Sequence, residues 1–208
     1  MKSQGMQENQ QVVFLSDGGE SVRNLQEYIH PYSEHWIDWF HITMRITVLQ
    51  QQIKGLQDEQ SALGEEAARE LDRIKHFLWH GNTFQALLRL VGLLLDLEFP
   101  EISSELARKV AKAVGEFEAY IRNNDEFIPN FGERRRNGEV ISTAFVESTV
   151  NQVVSKRMVK KQQMAWTERG AHLLLQVRTR VLNGDLEDAF RCWYPKFRPE
   201  LPTVQKAA

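Results

Sequence analysis

Val12-Val13-Phe14-Leu15-Ser16-Asp17-Gly18-Gly19 is an apolar, β-branched run that ends on a carboxylate followed by two glycines. Such a run predicts a buried strand over Val12 to Leu15, with Asp17 at its carboxyl end. Outward from it, Glu20 to Ile29 reads as a short helix stopped by Pro31. His35-Trp36-Ile37-Asp38-Trp39-Phe40-His41 then gives a second short strand over Trp36 to Phe40. Strand, crossover helix and strand make a parallel βαβ unit, and two strands are too few for a stable sheet, so further strands are expected to complete it.

After His41 the period becomes helical. Ile42, Ile46, Leu49, Ile53 and Leu56 alternate steps of four and three, the spacing of a packed helix stripe. Leu63, Ala67, Leu71, Ile74 and Leu78 mark a second helix, up to Gly81. Phe84, Leu87, Leu88, Val91, Leu94 and Leu95 mark a third, ended near Pro100. Ile102, Leu106, Val110, Ala113, Val114, Phe117 and Ile121 mark a fourth. Each stripe needs a neighbour to cover it, which predicts a helical bundle. Asn123 to Gly138 is a polar loop containing Arg134-Arg135-Arg136. A long helix is expected from about Ser142 to Lys160, another from Thr167 to Leu182, and a short one over Leu186 to Tyr194.

Composition narrows the class. The 42% hydrophobic and 26% charged residues are those of an ordinary globular chain of 208 residues. A single cysteine, Cys192, excludes an intramolecular disulfide and a cysteine-rich zinc site, and suits a reducing compartment. Met1 to Gln11 is polar, unlike a signal peptide, and the most apolar run, Ala86 to Leu97, is too short to span a bilayer. The expected location is the cytoplasm. Asp58 to Glu126 carries 14 acidic and 8 basic residues, whereas Glu133 to Arg180 carries 4 acidic and 10 basic. Only the later block suits a polyanion, although solvated helix faces produce such blocks as well.

Four places carry side chains that could be suited to chemistry. Asp17 sits where open α/β sheets place their ligand-binding groups, although strand-ending Asp-Gly is also a common turn. Asp38 and His41, three apart, are a candidate metal pair, or else Asp38 caps the following helix while His41 packs against Trp39. His76 and His80 have the helical spacing of two metal ligands, but Phe77 stands where a zinc protease carries its glutamate. Glu147 lies at the edge of a stripe of Ile141, Phe145, Val146, Val150 and Val153, with Asn151 one turn on and Lys156, Arg157, Lys160 and Lys161 beyond. A carboxylate holding a cation beside a basic track is what phosphodiester chemistry requires; a helix with a charged rim gives the same pattern.

Taken in order, Phe14-Leu15-Ser16-Asp17-Gly18-Gly19, Asp38-Trp39-Phe40-His41-Ile42 and Phe145-Val146-Glu147-Ser148-Thr149-Val150-Asn151 resemble bacterial insertion-sequence transposases of the DDE class. The match is closest to the ISKra-type group, and includes Met164-Ala165-Trp166-Thr167-Glu168-Arg169-Gly170 downstream. The resemblance implies an α/β, mostly helical chain: a partial RNase H-like catalytic domain with two parallel strands and an all-helical insertion before the helix that carries the glutamate. It implies Asp17 as the second catalytic acid and Glu147 as the third, both ligating Mg²⁺ or Mn²⁺. Asp38 and His41 then support the site, as in the Cys/Asp-x-x-His element of Mutator-like transposases, together with Asn151. Arg134, Arg135, Arg136, Lys156, Arg157, Lys160 and Lys161 are the candidates for phosphate contact. Trp166 is a candidate for stacking on an unpaired base.

The corresponding domain plan is a strand-helix-strand core over residues 1–41, a helical insertion over 42–130, catalytic-domain helices over 131–185 and a tail over 186–208. The family's first acid has no place before Val12, so this chain is expected to be a truncated transposase that neither cleaves nor joins DNA alone. Its expected partners are DNA at the element ends and target, a second copy or a full-length transposase, in the nucleoid and away from membranes. A different class fits the same stripes: a non-catalytic helical module that binds or regulates a partner.

Overall fold

Val13–Ser16 forms β1, Glu20–Ile29 forms α1 and Glu34–Ile37 forms β2 in the computed structural model, which describes residues 7, 10–98, 104–155, 158 and 165–197. The two strands pair in parallel, Val13 opposite Glu34 and Ser16 opposite Ile37, with α1 as the crossover. β1 is half-buried throughout, less than its apolar run suggests, because β2 is its one partner in the described sheet. In β2, Trp36 and Ile37 are buried.

The second strand stops earlier than the sequence pattern suggests. Asp38 Oδ1 accepts from the Phe40 amide at 2.9 Å, so this residue caps α2, which runs over Trp39–Glu59 instead of starting after His41. A capping carboxylate satisfies a helix N–H that a continuing strand would leave unpaired, and this decides the boundary.

Helices α2, α3 (Ser61–Trp79), α4 (Thr83–Glu98) and α5 (Glu105–Asn123) form the bundle, followed by a 3-10 turn at Asp125–Phe127 and a short α6 at Phe131–Arg136. The α2 stripe from Ile42 to Leu56 is wholly buried, as are Ala67, Leu71, Ile74 and Leu78 of α3. Val110, Val114, Phe117 and Ile121 of α5 join them, while Ile102 lies outside the described residues. Each fully buried leucine or isoleucine contributes about 1.5–3 kcal/mol. Phe131 is buried against Trp39 and Trp79, with ring centroids 4.9 and 6.5 Å away, which anchors α6 to the bundle.

On α4 the stripe differs from the one expected. Ala86, Leu90, Leu93 and Leu97 face the core, whereas Phe84, Leu88, Val91 and Leu95 are exposed. This helix is apolar nearly all round, so its periodicity does not fix which face turns inward.

The bundle begins and ends at one point. The Trp39 amide donates to the Ile141 carbonyl at 3.1 Å, and the Thr143 amide donates to Asp38 Oδ1 at 3.1 Å. Thr143 Oγ1 donates to Asp38 Oδ2 as well. The chain thus leaves β2 at Asp38, makes the helical module, and returns to Asp38 one residue before α7 (Ala144–Val150) begins.

The chain divides into two compact units, Met1–Ala144 and Phe145–Ala208. In the second, α7 is followed by a π-helical turn at Asn151–Ser155, then α8 (Glu168–Asn183) and α9 (Leu186–Trp193). The helix expected to continue to Lys160 therefore changes its winding at Asn151. Arg178 of α8 donates to the carbonyls of Val153 and Gln152, each at 2.8 Å, and satisfies backbone acceptors at that turn. Thr167 caps α8 through the Gly170 amide at 3.1 Å. None of the described residues of this unit is buried, so Phe145, Val146 and Val150 form an exposed face and not the buried stripe expected beside Glu147. Among the described residues no helix is long and apolar enough to cross a membrane.

Candidate functional site

Asp17 leaves the end of β1 exposed, and its Oδ1 accepts from the Gly19 amide at 3.0 Å. The turn depends on Gly18, whose φ of +93° disfavours any side chain. A Cβ there would also lie 2.6 Å from Asn124 Oδ1 and 3.0 Å from Ile37 Cδ1. Asn124 is itself buried at the end of α5, its Nδ2 donating to the Tyr120 carbonyl at 2.8 Å. The loop carrying Asp17 is therefore seated directly on the bundle.

Behind Asp17, α2 and α5 enclose a groove of about 550 Å³. Asp17, His41, Arg45, Gln52 and Glu116 supply its polar groups, and Met44, Val48, Leu49, Ala113 and Phe117 its apolar wall. Arg45 lies over the Tyr120 ring, 4.0 Å from its centroid. Burial above all pushes the Tyr120 hydroxyl up to about 12; the carboxylates of Asp17 and Asp38 act in the same direction, and Arg45 opposes them. With Asp17 at its edge, the groove lies at the carboxyl end of β1, where open sheets bind ligands.

Asp38 lies at the base of the same region and is fully buried. Its oxygens are taken by the Phe40 and Thr143 amides and the Thr143 hydroxyl, with His41 Nε2 at 3.8 Å. Asp38 and His41 are thus brought together, with the carboxylate engaged in holding the fold. Trp39 packs against Trp79 at 5.0 Å. His76 on α3 and His80 just beyond its end are exposed, ring centroids 4.6 Å apart.

The remaining candidates are distributed differently. Arg134 stacks on Trp36 at 4.4 Å and pairs with Glu139 at 3.3 Å, while Arg135 and Arg136 are exposed. Glu147 and Asn151 are exposed in the second unit, Asn151 opening the π-helical turn. Trp166 is half-buried just before α8. Lys156, Arg157, Lys160 and Lys161 lie outside the described residues.

A divalent ion fits Asp17 in one respect: the residue is exposed where it lines the groove, with Oδ1 engaged by the Gly19 amide. Asp38 is unsuited as a ligand because donors already occupy it. Among the described residues no group of three or more His, Cys, Asp or Glu side chains is placed to hold a metal ion. Sequence reasoning missed Arg45, Gln52, Glu116 and Tyr120, which come from two helices far apart in the chain; their shared signal is the polar interruption of otherwise apolar faces. The chain matches no family model, and no curated protein or solved structure is similar to it.

Proposed function

We propose that this chain is the later part of a DDE transposase catalytic domain, related to the ISKra-type group. Asp17 would serve as the second catalytic acid and Glu147 as the third. The observation that carries the proposal is the closure at Asp38. An all-helical module opens and closes on the end of β2 and delivers the chain to α7, the helix bearing Glu147. An insertion of this kind lengthens the chain between the two acids without disturbing the strand that precedes it. Asp17 and Glu147 would hold Mg²⁺ or Mn²⁺, which stabilises the attacking and leaving oxygens of a phosphodiester. Exposed Arg135 and Arg136 would contact DNA phosphates.

The test is proximity. Asp17→Cys and Glu147→Cys, combined in a Cys192→Ser background, should be joined within one chain by the shortest methanethiosulfonate bridge. Acids sharing an ion lie about two metal–oxygen bonds of roughly 2.1 Å apart. Failure to bridge, with each single cysteine fully reactive, would sink the assignment. It would favour the second function, a non-catalytic binding module, which the apolar wall of the α2–α5 groove and the outward face of α4 support.

A further inference from the structure

We infer that His76 and His80 form a metal clip across the end of α3, taking a borderline divalent ion such as Zn²⁺, Ni²⁺ or Cu²⁺. Imidazole nitrogen suits these ions, whereas Mg²⁺ takes oxygen ligands. The two histidines stand four residues apart, and Phe77 removes only the general base that a zinc protease needs. Holding an ion requires the two rings alone. The clip lies in the helical module and is separate from the acids Asp17 and Glu147.

The geometry suits chelation. A metal–nitrogen bond of about 2.1 Å, plus about 1.1 Å from nitrogen to ring centre, sets each centroid about 3.2 Å from the ion. Two such arms meeting at about 90–110° hold the centroids about 4.5–5.2 Å apart. The His76 and His80 centroids are 4.6 Å apart, with the ring planes inclined at 65°. The backbone beneath them is held as well. The His80 amide donates to the His76 carbonyl at 3.3 Å. Ile74 and Leu78, each two residues before one of the histidines, are fully buried in the bundle. Binding therefore orders two short side chains on a helix end that the core already fixes.

The rings are also unengaged and have room around them. Among the described residues neither imidazole has a hydrogen bond or ion pair; His76 has ring contacts with His80 and, at 6.2 Å, with Phe77. His35, by contrast, is engaged with Ser16, and His41 lies beside Asp38. His76 borders two hollows of about 430 and 370 Å³, and Asp72, one turn before it, borders both. They leave space for water or an outside ligand to complete the coordination. The Asp72 carboxylate offsets the charge of Lys75, which borders the smaller hollow. Among the described residues no third His, Cys, Asp or Glu is placed to share the ion. A closed structural zinc site has four protein ligands, so this one is open.

The experiment is calorimetric titration of the full, untagged chain with Ni²⁺ from about 1 to about 500 µM, beside electron paramagnetic resonance of its Cu²⁺ adduct. Cys192→Ser serves as the background, because an exposed thiol also takes such ions. One Ni²⁺ should bind per chain, and the Cu²⁺ spectrum should show two nitrogen donors. His76→Ala and His80→Ala should each weaken binding at least about tenfold, since one imidazole remains. Both side chains are exposed, so circular dichroism should show the fold intact. His172→Ala, at an exposed histidine of the second unit, should change nothing. Ni²⁺ should also raise the melting temperature of the parent chain and of neither His76→Ala nor His80→Ala, because the chelate needs a formed helix end. No saturable binding over this range, or an ion held equally well by both alanine variants, overturns the proposal. Neither result bears on Asp17 or Glu147, whose proposed ion is held by oxygen.

Discussion

Asp38 and Thr143 stand 105 residues apart in the sequence and share one carboxylate, Oδ1 accepting the Thr143 amide and Oδ2 its hydroxyl. The same Oδ1 caps α2 through Phe40. One buried side chain thus ends a strand, starts a helix and closes the module between them.

Removing it should be costly. Asp38→Ala leaves three donors unpaired and is expected to destabilise the first unit by roughly 2–4 kcal/mol, and Thr143→Val by about 1–2 kcal/mol. The double variant should cost less than their sum, with a coupling of about 1 kcal/mol or more. Urea denaturation of the four proteins measures this, and strict additivity would contradict the clasp.

Acid should weaken the strand pair through His35. Its Nε2 lies 2.7 Å from Ser16 Oγ, which already accepts the Gly18 amide at 3.1 Å and so has its proton free for a neutral imidazole. Burial first, and Arg23 second, lower its pKa from 6.5. A folded-state pKa below the unfolded one means that the unfolded chain binds the proton more readily. The stability from this histidine is therefore complete above pH 6.5 and falls as the pH drops below it. The melting temperature should decline below pH 6.5, and His35→Gln should flatten that part of the profile. An unchanged profile would exclude His35 as the cause.

Gly18→Ala tests the seat of the Asp17 loop. The φ of +93° and the 2.6 Å approach to Asn124 Oδ1 both oppose a methyl group, so a loss of roughly 2 kcal/mol is expected. Gly138→Ala, also at positive φ (+77°) but with nothing within 4 Å, should cost less. Equal losses would mean that backbone strain alone accounts for Gly18.

The arginine triplet should separate into two behaviours. Arg134 is committed to Trp36 and Glu139, so Arg134→Ala should lower stability by about 1 kcal/mol with little change in DNA affinity. Arg135→Ala and Arg136→Ala should leave stability unchanged and reduce the salt slope of DNA binding by about one unit each. Anisotropy titrations at several salt concentrations read both effects. A slope that moves only with Arg134 would reverse the assignment.

The elements that were legible in the sequence are those with a one-sided pattern. The α2 and α3 stripes alternate cleanly with polar residues, and each contributes its expected face to the core. On α4 leucines surround the helix, so the inward choice of Leu90 and Leu93 over Leu88 and Leu95 is made by its neighbours α3 and α5. At Asp38 a local cap overrides the strand propensity of Trp39 and Phe40. The groove wall was legible only in part, because Asp17 and His41 carry turn and motif signals, while Arg45, Glu116 and Tyr120 meet only when α2 and α5 pack. Beside Glu147 the apolar spacing is real, but a stripe does not say what covers it.

The most direct test is a Mn²⁺ titration of the full chain, followed by the relaxation of water protons. The proposal predicts one weak site, on the order of millimolar, that is lost in both Asp17→Asn and Glu147→Gln and kept in Glu116→Gln. No bound Mn²⁺, or a site that survives both substitutions, would contradict a shared ion at Asp17 and Glu147.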